Sequence, residues 1–383
     1  MLTKIAYLDY SHIFAGAERV LYTIINNLNR DEFEPILIFP YPMEHQKGYE
    51  NLKCRKVYLA KGVKWWMGSD RWQHPLRGTD FLMRTIMGCK LASLLHKEKI
   101  DILHVNILRP DSLMWIMPSK KMGIKVIGHF RSQALEWVPS KFVQHNCYLI
   151  LCVSQYSQSR LLSKGHYVQT QVLYDSINLK LFQSDISRID AKKKLGFSET
   201  SFLISSIGQL SRHKGHDNAI KAFVKVALHN SNVILFIVGG GSLEDLNYLK
   251  QIVKENPSIQ TRVIFSEKQL SNIVDVYRAS DLVLSLTKVG EAFGLVPYEA
   301  AIMGTPFIAP NRGAVKEFII NKENGLLVDT NNVDEIATQI EWVINHKKEC
   351  EHMILKAKEV IQSKLTPYVM TNQLQSVYRK LIN

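Results

Sequence analysis

Two carboxylates stand eight residues apart in the segment Glu291-Ala-Phe-Gly-Leu-Val-Pro-Tyr-Glu299, with Gly294 between them. Such a segment can do two kinds of chemistry. Backbone N–H groups at a helix N-terminus hold a diphosphate, and a glycine lets the anion approach the chain. Carboxylates accept hydrogen bonds from the neighbouring hydroxyls of a sugar or a ribose. The apolar pattern predicts a helix over Leu295–Met303, which leaves the first-turn amides of Leu295 and Val296 open to an anion. Pro297 suits that turn, where its missing N–H would have lacked a partner anyway. Glu299 falls about one turn into the helix.

Three further clusters fall at predicted strand ends. Residues Ile207–Gly215 leave a strand through Gly208 and Gln209 and offer Arg212 and Lys214 before a helix. Cations there can neutralise a departing diphosphate, though a solvated basic loop reads the same way. In Val126–Arg131, His129 stands at a strand end, where a neutral imidazole can hydrogen-bond a sugar hydroxyl. A structural role is its alternative, in a chain with 13 histidines. Phe14–Arg19 carries Gly16 in a small-residue loop that enters a helix, either a phosphate cradle or an ordinary tight turn. It is not a G-x-G-x-x-G fingerprint, so no dinucleotide cofactor is indicated.

Positioning these groups requires strands that alternate with amphipathic helices. Lys4–Asp9, Pro35–Phe39, Asp101–Asn106, Lys125–Gly128 and Tyr148–Val153 read as buried parallel strands, with helices at Ala17–Leu28, Phe81–His96 and Ser157–Ser163. The polar stretch Asp175–Gly196 reads as a linker. A second series follows: strands at Ser201–Gly208, Asn232–Val238, Arg262–Phe265, Leu282–Ser285 and Pro306–Ile308, and helices at His216–Leu228, Leu243–Lys254, Leu270–Ala279 and Leu295–Met303. The expected fold is α/β, with two doubly wound parallel-sheet domains facing a cleft. The domains are expected at 1–180 and 181–364, with a C-terminal helix within 365–383 packing back on the first.

At 383 residues the chain has room for two such domains, and its composition, 46% hydrophobic and 22% charged, is globular. No apolar run reaches the length of a membrane span, and the N-terminus reads as a strand rather than an export signal, so a cytoplasmic location is expected. Cys54, Cys89, Cys147, Cys152 and Cys350 are scattered, which predicts free thiols and no metal site. The net charge is +13, and much of the excess lies between Lys53 and Lys99, beside Trp65, Trp66 and Trp72. Basic groups next to tryptophans suit the headgroup zone of an anionic membrane, while a solvated basic loop is the alternative. Nucleic acid is not the expected partner.

Taken in order, these motifs resemble the retaining glycosyltransferases of GT-B fold, in particular glycosyltransferase family four. The run is Gly208…Lys214-Gly215-His216, Val238-Gly239-Gly240-Gly241, Asp281, Glu291-Ala-Phe-Gly294…Glu299, Gly304-Thr305-Pro306 and Asn324-Gly325. Weaker echoes lie at Ala15–Arg19, Asp101–His104 and Val153-Ser154. The resemblance implies Rossmann-like domains, the first on the acceptor side and the second binding a nucleotide-diphosphate-sugar, a UDP- or GDP-sugar. It implies that Glu291 holds the donor sugar, Glu299 the ribose diol, and Lys214 with the Phe293–Val296 backbone the diphosphate. His129 would reach the sugar, and Gly16 would lie near the phosphates and the acceptor. Gly208, Gln209 and Arg212 fall in the donor-binding loop. The implied reaction is front-face transfer to a hydroxyl of a glycan or lipid-linked acceptor in bacterial surface polysaccharide synthesis, the leaving diphosphate taking the acceptor proton. No Asp-x-Asp occurs, so cationic side chains and the helix end would replace a metal. Two departures stand out: Gln209 where the family usually has Arg, and Phe130 where it often has Asp after the histidine. A nucleotide-sugar epimerase or hydrolase, and a non-catalytic nucleotide-sugar-binding protein, are the alternatives.

Overall fold

The computed structural model describes residues 2–11, 14–40, 42, 44–60, 78–132, 138–163, 168–266 and 272–382. The chain divides into two compact units, Met1–Ser176 with Pro367–Asn383, and Ile177–Thr366.

The first unit is built on β1 (Thr3–Leu8), α1 (Gly16–Asn27), β2 (Phe33–Phe39), β3 (Arg55–Tyr58), α2 (Gly78–Lys97), β4 (Ile102–Val105), α3 (Leu113–Lys121), β5 (Lys125–Phe130), α4 (Lys141–His145), β6 (Leu149–Cys152), α5 (Gln155–Leu162) and β7 (Thr170–Val172). The strands pair in parallel in the order β3-β2-β1-β4-β5-β6-β7. Side chains alternate across a strand, so β1 feeds two apolar layers. Ile5 and Tyr7 join the layer under α1 and the C-terminal helix Pro367–Ile382, with Leu374, Val377 and Tyr378. Ala6 and Leu8 join the opposite layer, with Leu91, Leu95, Trp115 and Ile116 of α2 and α3.

The second unit continues with α6 (Arg188–Lys194), β8 (Phe202–Ile207), α7 (His216–His229), β9 (Val233–Val238), α8 (Leu243–Lys254), β10 (Val263–Phe265), α9 (Ile273–Ala279), β11 (Leu282–Leu284), α10 (Leu295–Ile302), β12 (Phe307–Pro310), β13 (Leu326–Val328), α11 (Val333–Asn345) and α12 (Lys347–Lys364). Its strands run parallel in the order β10-β9-β8-β11-β12-β13. Ile204, Leu235, Leu282 and Ile308 face α7, α8 and α11, while Leu203, Phe236 and Val238 face α6 and α9. Both sheets reverse strand order beside their first strand, between β1 and β4 and between β8 and β11. Ligands of doubly wound sheets sit outside the strand ends at such a reversal.

The structure corrects the linker reading of Asp175–Gly196. Arg188–Lys194 is helical, Ser187 caps it by accepting from the Asp190 amide at 3.1 Å, and Ala191 is fully buried in the second unit. One apolar contact residue in a seven-residue helix leaves a polar sequence signal. The short strands β3 and β7 also escaped the sequence reading, because they are half-exposed and carry polar residues. The helix predicted from Leu270 begins, among described residues, at Ile273. Residues 61–77 of the basic, tryptophan-bearing stretch, including Trp65, Trp66 and Trp72, lie outside the described residues. Among the described residues, no helix is long and apolar enough to cross a membrane.

Candidate functional site

In the second unit two loops meet at the reversal between β8 and β11. The first, residues 208–215, is pinned on both sides. Gly208 and Leu210 donate to the carbonyls of Val238 and Gly240 at 3.0 and 2.8 Å. A Cβ on Gly239 would sit 1.7 Å from the Gly208 carbonyl oxygen, so that approach requires glycine. Across the loop, Lys288 donates its amide to the His213 carbonyl at 2.7 Å, and Thr287 adds its hydroxyl at 3.2 Å. Gly215 turns the chain into α7 with φ +76°, pressed against the Leu286 carbonyl. Beneath the loop, buried His216 donates through Nε2 to the Gln209 carbonyl at 3.2 Å and accepts from Ser206 through Nδ1 at 2.8 Å. Burial holds its pKa down to about 4, so it is a neutral strut.

This pinning sets Lys214 beside the second loop, where its ammonium pairs with Glu291 Oε1. The other carboxylate oxygen lies over Gly294, 2.6 Å from where a Cβ would stand. Gly294 takes φ +80° and is the N-cap of α10, and it offers no side-chain cap. The amides of Leu295 and Val296 begin that helix and have no intrahelical partner. Both residues are half-buried, whereas Phe293 is 4% exposed. Farther along α10, Glu299 is 5% exposed and accepts from the Tyr277 hydroxyl at 2.6 Å. A cation, a carboxylate and a helix N-terminus thus converge, with a second carboxylate five residues beyond Gly294. That set can hold a diphosphate and a polyhydroxylated group together.

Arg212 is not brought to this cluster. Its guanidinium stacks 3.4 Å from the Tyr248 ring centroid and stands 3.6 Å from Asp245, at the start of α8. The Gln209 side chain is exposed.

His129 and Gly16 belong to the first unit. Gly16 opens α1, with the Glu18 carboxylate accepting from the Ala15 amide at 2.9 Å. Glu18 and Asp9 are buried near each other, and desolvation raises both pKa values. His129 is the penultimate residue of β5 and is fully buried. Its Nδ1 lies 3.2 Å from Arg131 Nη2, and among the described residues its Nε2 has no partner. Arg131 is itself fixed by Asp175 at 2.5 Å and by the Asn106 carbonyl at 3.1 Å.

Tyr277, Tyr248, Lys288 and Arg131 were missed as site supports. Tyr277 meets Glu299 from 22 residues away, on a different helix, so no local spacing marks it. Arg131 was visible two residues after His129, and its charge next to an imidazole was the usable signal.

The model of a family described as "Glycosyl transferases group 1" matches residues 187–360, and that of "Glycosyltransferase Family 4" matches residues 14–181. N-acetyl-alpha-D-glucosaminyl L-malate synthase of Bacillus anthracis is 25% identical over 308 residues, 76% of this chain and 78% of that protein. A capsular polysaccharide biosynthesis glycosyltransferase of Staphylococcus aureus is 24% identical over 212 residues, 54% of this chain and 53% of that one. Among solved structures, HepE of Anabaena in complex with UDP and glucose superposes with a TM-score of 0.83 at 20% identity, covering 98% of this chain and 99% of that one. That likeness shows the GT-B fold. With both halves of the chain matched, the protein belongs to the family-four, group 1 glycosyltransferases and is a transferase enzyme.

Proposed function

We propose that this enzyme transfers a sugar, a hexose, from a nucleotide-diphosphate-sugar to a hydroxyl of a glycan or lipid-linked acceptor, with retention of configuration and without a metal. The observation that carries this reading is the Lys214–Glu291 pair set over Gly294 at the N-terminus of α10. Lys214 neutralises Glu291. An ammonium has three protons, so it can keep Glu291 and also take a phosphate oxygen. The amides of Leu295 and Val296 take a second, and the helix end favours the negative charge that grows as the glycosidic bond breaks. Glu291 accepts from donor-sugar hydroxyls, and Glu299, steadied by Tyr277, accepts from the ribose diol. The leaving diphosphate, a base held at the same face, takes the acceptor proton.

The complex of HepE with UDP and glucose supports UDP as the first base to test, with GDP as the alternative. The Staphylococcus relative, a capsular polysaccharide biosynthesis glycosyltransferase, supports an acceptor in surface polysaccharide synthesis. A cytoplasmic enzyme that touches the inner face of an anionic membrane through residues 53–99 fits such an acceptor. The direct test is transfer from UDP- and GDP-sugars, with and without EDTA. Turnover that survives EDTA and disappears in Glu291→Ala supports the reading. Donor consumption at the same rate without any acceptor contradicts it.

A further inference from the structure

The lone pairs and protons around His129 fix which way it faces chemically. Arg131 Nη2 can only donate, so His129 Nδ1, 3.2 Å away, must accept. The same Nδ1 lies 3.3 Å from His104 Nε2, which must therefore carry a proton. Neutral His104 then has a bare Nδ1, and it accepts from the Tyr378 hydroxyl at 2.6 Å. Tyr378 has spent its proton, so it accepts from the Tyr7 hydroxyl at 3.0 Å. Tyr7, Tyr378, His104 and His129 are all fully buried, so water does not scramble the order. Burial with Arg131 close by holds both imidazoles neutral, His104 down to about 3 and His129 well below its ordinary value. The chain of bonds runs one way, from Tyr7 through Tyr378 and His104 to His129. It ends on His129 Nε2, which among the described residues has no partner.

We propose that Arg131 and His104, the latter set by Tyr378, are positioning residues that together lock His129 as the Nε2–H tautomer, so that it meets the substrate as a hydrogen-bond donor and not as a base. The C-terminal helix, through Tyr378, thereby sets the tautomer of His104 and so one of the two donors on His129. The function assigned to that donor, steadying a sugar oxygen, rests on the transferase reading above. The tautomer itself does not.

Long-range proton–nitrogen NMR of the full chain labelled with 15N-histidine reads the tautomer directly. The expected spectrum shows His129 protonated at Nε2 and bare at Nδ1, and protonation at Nδ1 overturns the proposal. Tyr378→Phe should free the His104 tautomer, take one of the two donors from His129 Nδ1 and lower kcat about tenfold, with donor KM little changed. His104→Gln keeps an N–H for His129 and an oxygen for Tyr378, so it should retain activity that His104→Phe loses. If Tyr378→Phe lowers stability yet leaves the His104 tautomer and kcat unmoved, Tyr378 is merely structural and the relay is wrong. An inactive protein that still shows Nε2–H on both His129 and His104 upholds the relay and sinks the transferase reading instead.

Discussion

Lys214 and Glu291 each complete the other, so removing either has two effects. In the proposed reaction Lys214→Ala deletes a cation from the leaving group and also leaves Glu291 without its partner, with a negative charge beside the phosphate. A lost electrostatic donor at a reacting group costs about 10²–10³ in kcat, and that is the expected fall in a transfer assay. Lys214→Arg should not restore full rate, because a planar fork does not replace a compact ammonium. In the proposed reaction Glu299 acts elsewhere on the ligand. Its loss removes charge-assisted hydrogen bonds of about 1.5–3 kcal/mol, so Glu299→Ala should weaken nucleotide binding about 10- to 100-fold by calorimetry. Tyr277→Phe should weaken it less, since the carboxylate survives but loses the hydroxyl at 2.6 Å that aims it. Arg212 is spoken for by Tyr248 and Asp245, so Arg212→Ala should change turnover far less than Lys214→Ala.

The elements make this geometry through a few backbone positions. Gly294→Ala and Gly196→Ala separate strain from function. Both glycines have φ near +80°, but a Cβ on Gly196 meets nothing within 4 Å, whereas one on Gly294 meets Glu291. Gly196→Ala should cost about 1–2 kcal/mol in denaturant unfolding and leave turnover intact. Gly294→Ala should cost activity as well, because Glu291 must move. The strands that carry these loops were legible because long apolar runs such as Val233–Val238 have no competing reading. The motif Glu291–Glu299 was legible because its residues occupy nearby positions on one loop and helix. What the sequence concealed was made by tertiary contact. Helix α6 hides one buried alanine among lysines, and Tyr277, Tyr248 and Tyr378 reach their partners from distant segments. Arg212 and Lys214 looked alike as neighbouring cations, and only the packing of α8 separates them.

On the scale of the whole molecule, buried neutral histidines link stability to pH. His104 and His216 titrate near 3 and 4 in the fold, against 6.5 in the unfolded chain. The unfolded chain therefore binds protons that the folded one refuses. Their stabilising contribution is complete above 6.5 and is lost as pH falls from 6.5 toward 4. Asp9, Glu18 and Asp175 act in the opposite sense, since burial raises their pKa values and favours the fold when they are protonated. In His104→Gln one refused proton disappears, so the fall in stability below the unfolded histidine pKa should be shallower by about 1.4 kcal/mol per pH unit. The +13 net charge predicts sedimentation with anionic liposomes at low salt and release as salt screens the surface. The measurement closest to the central claim is thermal unfolding of the wild type and Glu299→Ala against UDP, GDP, ADP, CMP and several sugar nucleotides. At ligand about a hundredfold over its dissociation constant, binding adds about 2.7 kcal/mol, which raises Tm by several degrees. The account predicts that rise for one nucleoside diphosphate and its sugar nucleotide, and its loss in Glu299→Ala. A wild-type protein that responds to no diphosphate nucleotide, or a Glu299→Ala variant that responds as strongly, would contradict it.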